Sequence, residues 1–145
     1  MMGKLGFDID ISHLSATDLQ FCREAVKTYD SFKDIVWHGD QYRLSDPFTN
    51  EVASVMYVDK AKSSAVVFSY LVNNRYGSGS TLPVRFKGLD ASKKYKMEEI
   101  NLYPGTKSTL KPNQVFTGDF LMQIGFNPDV NVQRTSVILK VEEVN

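Results

Sequence analysis

The chain has 145 residues, 42% of them hydrophobic, with 17 basic side chains against 17 acidic ones. That length suits one domain with its own core, or one domain plus a fragment, and the balanced charge gives no net field for nucleic acid or an anionic membrane. Cys22 is the only cysteine, which excludes an internal disulfide and any metal site needing two thiolates.

Leu5, Phe7, Ile9 and Ile11 alternate with Gly6, Asp8, Asp10 and Ser12, a spacing that predicts a strand over residues 5–11. A strand with nothing before it suggests a chain cut from something longer. Its unpaired edges would fold onto the rest of the chain, disorder, or pair with a second copy as a homo-oligomer. Ser15 then reads as a helix N-cap with Asp18 three residues on, and Leu14 and Leu19 are placed as a hydrophobic staple. The predicted helix runs over residues 16–33, with Leu19, Cys22, Val26 and Tyr29 along one stripe. Phe21 lies off that stripe, facing a second surface.

Residues 35–37 read as extended, Gly39-Asp40 as a turn, and residues 42–44 as extended again, until Asp46-Pro47 punctuates the chain. Short β runs follow, over residues 53–58, 65–72, 83–86, 94–102, 114–117 and 135–144. Residues 65–72 are apolar at both parities, as a central strand with two buried faces requires. Residues 73–81 and 101–113 read as long surface connections. Along 94–102, Tyr95 and Met97 share a face, but Ile100 and Leu102 fall out of phase, which a β-bulge at Glu98-Glu99 would explain. Thr117 caps a short helix that Gly125 ends, with Leu121 and Ile124 to one side. The fold class is mainly β: a Greek-key-like antiparallel β-sandwich of about seven or eight strands, preceded by one strand and one long α-helix. The domain boundaries are 1–40 for the preface and 41–145 for the sandwich.

Few residues offer chemistry. Asp8 and Asp10 would share a face of the first strand, as an acid/base pair or a cation site would need; a strand with its polar face outward explains them more simply. His38, Asp40 and Tyr42 resemble part of a triad with no nucleophile in sequence beside it, and a structural histidine is preferred. Gly77-Ser-Gly-Ser80 lacks the lysine and helix of a phosphate loop. Tyr76, Tyr103 and Phe126 lie in or beside loops, where aromatic faces could stack on sugar rings or close the core. No cofactor, metal ligand or catalytic residue is assigned. No apolar run approaches the roughly 20 residues of a spanning helix, and residues 1–7 lack the apolar segment of a signal peptide. The compartment stays open, the single free cysteine favouring cytoplasm over secretion.

Gly3-Lys-Leu-Gly-Phe-Asp-Ile-Asp-Ile11 with the Ser15 helix resembles the last strand and last helix of the barrel of bacterial α-galactosidases of glycoside hydrolase family thirty-six. His38-Gly-Asp-Gln-Tyr-Arg-Leu44 is similar to the segment leaving that barrel. Val84-Arg-Phe-Lys-Gly-Leu-Asp90, Lys94-Tyr-Lys96 and Thr117-Gly-Asp-Phe-Leu-Met122 resemble the C-terminal sandwich. The resemblance implies a parent enzyme whose (β/α)8 barrel is the partner of this piece and which hydrolyses terminal α-galactosides such as melibiose or raffinose. It also implies retention of configuration, with two aspartates whose carboxyl groups lie about 5 Å apart. The family's nucleophile sits in a Lys-Trp-Asp segment, whereas Trp37 here stands between Val36 and His38. Its acid/base sits near adjacent glycines, which this chain lacks. The expectation is therefore an accessory domain that braces a barrel and is inactive alone, with a carbohydrate-binding module as the alternative.

Overall fold

The computed structural model describes residues 1–73 and 82–144. Strands β1 (Asp40–Arg43), β2 (Val52–Val58), β3 (Ser64–Leu71), β4 (Lys94–Ile100), β5 (Val115–Thr117) and β6 (Ser136–Val144) form one antiparallel sheet in the order β1-β2-β3-β6-β4-β5. The last strand thus returns to the middle, between β3 and β4. Residues 65–69 of β3 are buried at both parities, so it is the central strand its composition predicts.

Both sheet faces are covered. On one, Met56, Ala65, Val67, Met97, Leu139 and Val141 pack with Phe86, Leu89, Leu121 and Val130 from the loops and the short helix α3 (Gly118–Gln123). On the other, Tyr57, Val66, Phe68 and Ile138 pack with Tyr29 and Phe32 from the end of α1 (Ala16–Asp30) and the turn into α2 (Lys33–His38). Phe32 is the hinge of that contact. Its ring meets Tyr29 at 5.7 Å and Phe68 at 5.8 Å, both edge-on, and Tyr57 meets Phe68 at 6.0 Å and 89°. Edge-to-face pairs at such distances add to the burial itself.

Six strands stand in the described residues where seven or eight were expected. The run at 83–86 contributes only a bridge, Val84 to Phe126, because it crosses over the sheet's face as part of the covering layer. The strand expected at 5–11 does not form: residues 4–10 carry no regular structure, and Ile11–His13 is a 3-10 turn. Alternation makes a strand only where a neighbour can take its backbone bonds, and no described strand pairs there. The segment instead folds onto the domain. Tyr57 Oη donates to the Met2 carbonyl at 3.1 Å and Tyr29 Oη to the Gly3 carbonyl at 2.6 Å, while Met1 and Leu5 pack on the helix-side core.

Ser15 caps α1 as its sequence predicts, accepting from the Asp18 amide at 3.1 Å. The helix ends at Asp30, three residues early, and residues 35–37 turn as α2 rather than extend. The break lets Phe32 point into the sheet. No bulge interrupts β4, whose pairing with β6 runs in unbroken register from Lys94↔Val144 to Ile100↔Ile138. The change of phase has another cause: Ile100 packs on the helix-covered face, and the inward parity after Tyr95 and Met97 is held by Glu99. Thr117 caps α3 through the Phe120 amide at 3.2 Å; Leu121 is buried, but Ile124 stays exposed.

Replacing Phe32 tests the joint between helices and sheet. Phe32→Ala should cost about 3–5 kcal/mol, read as a fall in the urea midpoint of the 145-residue chain. A loss below about 1 kcal/mol would show that the helices add little to the sheet.

Candidate functional site

A cleft of about 530 Å³ opens where the C-terminal end of β4 meets α1, and the loops 101–109 and 129–135 form its sides. Its floor is a buried ion pair. Glu99, with 3% of its side chain exposed, meets Arg134 Nη2, and Ser108 Oγ donates to the other Glu99 oxygen at 2.5 Å. Arg134 Nη1 also donates to Thr109 Oγ1 at 2.7 Å and lies 3.4 Å from Asp129. One guanidinium therefore ties both loops to the sheet. An acid on the core side of a strand is tolerated only when paired and hydrogen-bonded.

Asn101 ends β4 in the left-handed region, at φ 62, where asparagine is enriched among non-glycine residues. Its Oδ1 is buried and meets no hydrogen-bond partner among the described residues. An unsatisfied buried acceptor costs about 1–3 kcal/mol, a cost native interiors rarely carry without a reason. The turn at Asn101 sends the chain towards α1. There Tyr103 packs on Phe21, ring centroids 5.3 Å apart and planes at 50°, and Tyr103 Oη donates to Asp18 Oδ1 at 2.8 Å. Tyr103 keeps 42% of its surface exposed, so its ring forms an open wall. Phe21 has found the second surface its position off the apolar stripe required.

Asp18 joins the helix cap to this wall. Its carboxyl is held below the ordinary value of 3.8, first by the Ser15 hydroxyl and then by the Tyr103 phenol. The same bond pushes the Tyr103 phenol above its usual range.

The other sequence candidates lie elsewhere. Phe126 packs edge-on against Phe116, centroids 5.7 Å apart, on the loop-covered core, and Tyr76 falls outside the described residues. Asp10 receives the Ser12 amide and hydroxyl at 2.9 and 2.7 Å, a local turn on the surface. Asp40 pairs with Lys60 rather than with His38, which is exposed at the end of α2. The sequence marks Glu99 only as part of an expected bulge and Arg134 not at all, although an acid at the apolar parity of an alternating strand is the available signal. Arg134, 35 positions further on and in a loop, left none.

The model of the glycosyl hydrolase family 36 C-terminal domain matches residues 52–140. The chain belongs to that family. It is 31% identical over 105 residues, 72% of its own length, to α-galactosidase AgaA of Geobacillus stearothermophilus, of which it covers 14%. Among solved structures, the galactosidase domain of the α-galactosidase/sucrose kinase AgaSK, a protein of Mediterraneibacter gnavus, superposes with a TM-score of 0.75 at 26% identity. That match covers 92% of this chain and 17% of the other. A variant of Geobacillus AgaA in complex with raffinose matches with a TM-score of 0.73 at 26% identity, over 93% of this chain and 17% of that one. This family-36 chain therefore spans less than a fifth of the length of these relatives.

Two outcomes follow from the site. Arg134→Ala strands the Glu99 carboxylate in the interior and should cost about 3–5 kcal/mol; Glu99→Gln added to that variant should recover part of the loss in denaturant titration. Asp18, with its folded value lowered, contributes stability that is present above pH 3.8 and is lost as the pH falls through and below that value. Acidification in that window should therefore release Tyr103 from α1, seen as a shift of the Tyr103 ring resonances, and Asp18→Asn should remove the step.

Proposed function

We propose that this chain is the C-terminal region of an α-galactosidase and that its task is to brace the catalytic barrel of the same polypeptide. One observation carries the reading. Residues 1–38 are tied to the sheet through Phe32, Tyr29 and Tyr57, yet they also present Phe7, Ile9, Val26 and Trp37 to solvent, each between 42% and 51% exposed. A preface that packs on the sheet and still leaves Val26 and Trp37 of its helices and Phe7 and Ile9 of its irregular segment exposed suits a layer between two bodies. One body is the sheet. The length of the relatives beyond this region supplies the other, and the barrel is the body to which such a layer would attach.

In this reading the chemistry lies outside residues 1–145. Hydrolysis with retention needs two carboxyl groups about 5 Å apart across the scissile bond, one as nucleophile and one as acid/base. The Lys-Trp-Asp and adjacent-glycine segments that would carry them do not occur in this sequence. Asp10 is held in a surface turn by Ser12, which suits no such role. Terminal α-galactosides would be substrates of the parent enzyme, reached through its barrel loops.

The pure 145-residue chain should release no chromophore from a chromogenic α-galactoside, whereas the longer protein carrying it should. Within that longer protein, Trp37→Ser should lower the melting temperature while leaving the isolated chain's stability nearly unchanged, since Trp37 is exposed here. Turnover by the isolated chain would overturn the reading, and so would a Trp37 substitution silent in both contexts.

A further inference from the structure

We propose that the cleft floored by Glu99 and Arg134 and walled by Tyr103 binds a neutral oligosaccharide. Its volume of about 530 Å³ lies within the range of small-molecule sites, which combine apolar walls with a few placed polar groups. Three features select the ligand class. The wall is the open face of Tyr103, backed by Phe21 and anchored by the Asp18 bond; a sugar ring presents a C–H face that packs flat on such a ring. The charges cancel, Lys107 and Arg134 standing against Glu99 and Asp129, and Arg134 is already committed to Glu99, Thr109 and Asp129. Arg134 Nη2 meets Glu99 as an ion pair without a hydrogen-bond partner among the described residues, and Lys107 stands exposed at the rim. The four charges balance, so the cleft carries no net charge to favour an anionic ligand. The remaining polar lining is hydroxyl and amide, as in Thr106, Asn131, Gln133 and Ser136, which suits a partner that both donates and accepts.

Asn101 adds a further feature. Its buried Oδ1 accepts no bond among the described residues, and the left-handed backbone at φ 62 holds it on the wall of the cleft. A ligand hydroxyl would supply the missing donor. Strained residues with unmet polar atoms collect where a ligand completes them. The site uses none of the apolar residues assigned to barrel contact, so it stands or falls independently of the bracing role.

The test is a raffinose titration of the 145-residue chain followed by amide NMR. Saturable shifts confined to residues 99–109 and 129–136, at millimolar sugar, are expected. Tyr103→Phe keeps the ring and should keep binding, whereas Tyr103→Ala should weaken it about tenfold, the size of one lost contact. Asn101→Gly, which tolerates the positive φ without strain, should weaken it by a similar factor with the fold intact. Glucuronate should bind no better than raffinose. The proposal is overturned if millimolar raffinose moves no resonance, if the shifts lie outside the cleft, if Tyr103→Ala and Asn101→Gly leave the affinity unchanged, or if glucuronate binds more tightly.

Discussion

Burial of β3 on both faces is the constraint from which the rest of the domain follows. A strand whose residues 65–69 are closed to solvent at every position needs an apolar layer on each side. On one side Phe86, Leu89, Leu121 and Val130 supply it from loops and one short helix. On the other Phe32 and Tyr29 supply it from the helical preface. The preface is therefore part of the core, although the family model matches only residues 52–140. Buried polar pairs hold register within this packing: Ser54 and Ser69 face each other across β2 and β3 with their hydroxyls 2.8 Å apart.

Two-sided burial also explains why β4 changes phase without a bulge. Once both faces are covered, a strand can be apolar at either parity, and the helix-facing position is free to take Ile100. The inward position at that end lies at the rim of the core, where Glu99 is tolerated because Arg134, Ser108 and the two loops close over it. The cleft exists because this ion pair draws the 101–109 and 129–134 loops to one place. Tyr103 and Phe21, remote in sequence, then become neighbours.

The division of labour inferred for the parent enzyme has a physical logic. A barrel active site is assembled from loops of several strands, so under that proposal a sheet with a helical layer on one face can support the barrel without contributing to the reaction. The residues that matter for such a role are apolar and distributed, so no short motif announces them. The glycan cleft inferred here involves a different set of side chains, at the end of β4 and on its flanking loops.

Local chemistry made several elements legible from the amino-acid order alone. Ser15 and Thr117 cap their helices because each offers its oxygen to an amide three residues on, and β3 declares its central place because both of its parities are apolar. Resemblance in the quoted segments identified the family. What the order of residues left undecided depended on partners distant in the chain. Residues 5–11 alternate like a strand but lie as irregular backbone, since alternation cannot supply a neighbouring edge. Residues 35–37 read as extended but coil into α2, since the break at Phe32 is set by the sheet it enters. The site was the least legible part. Tyr103 stood out as a loop aromatic, but Asn101 is marked only by its backbone angle and its unmet oxygen. Arg134 becomes Glu99's partner only when two loops meet, because an ion pair is specified by proximity in space and that is decided by the packing of the whole sheet.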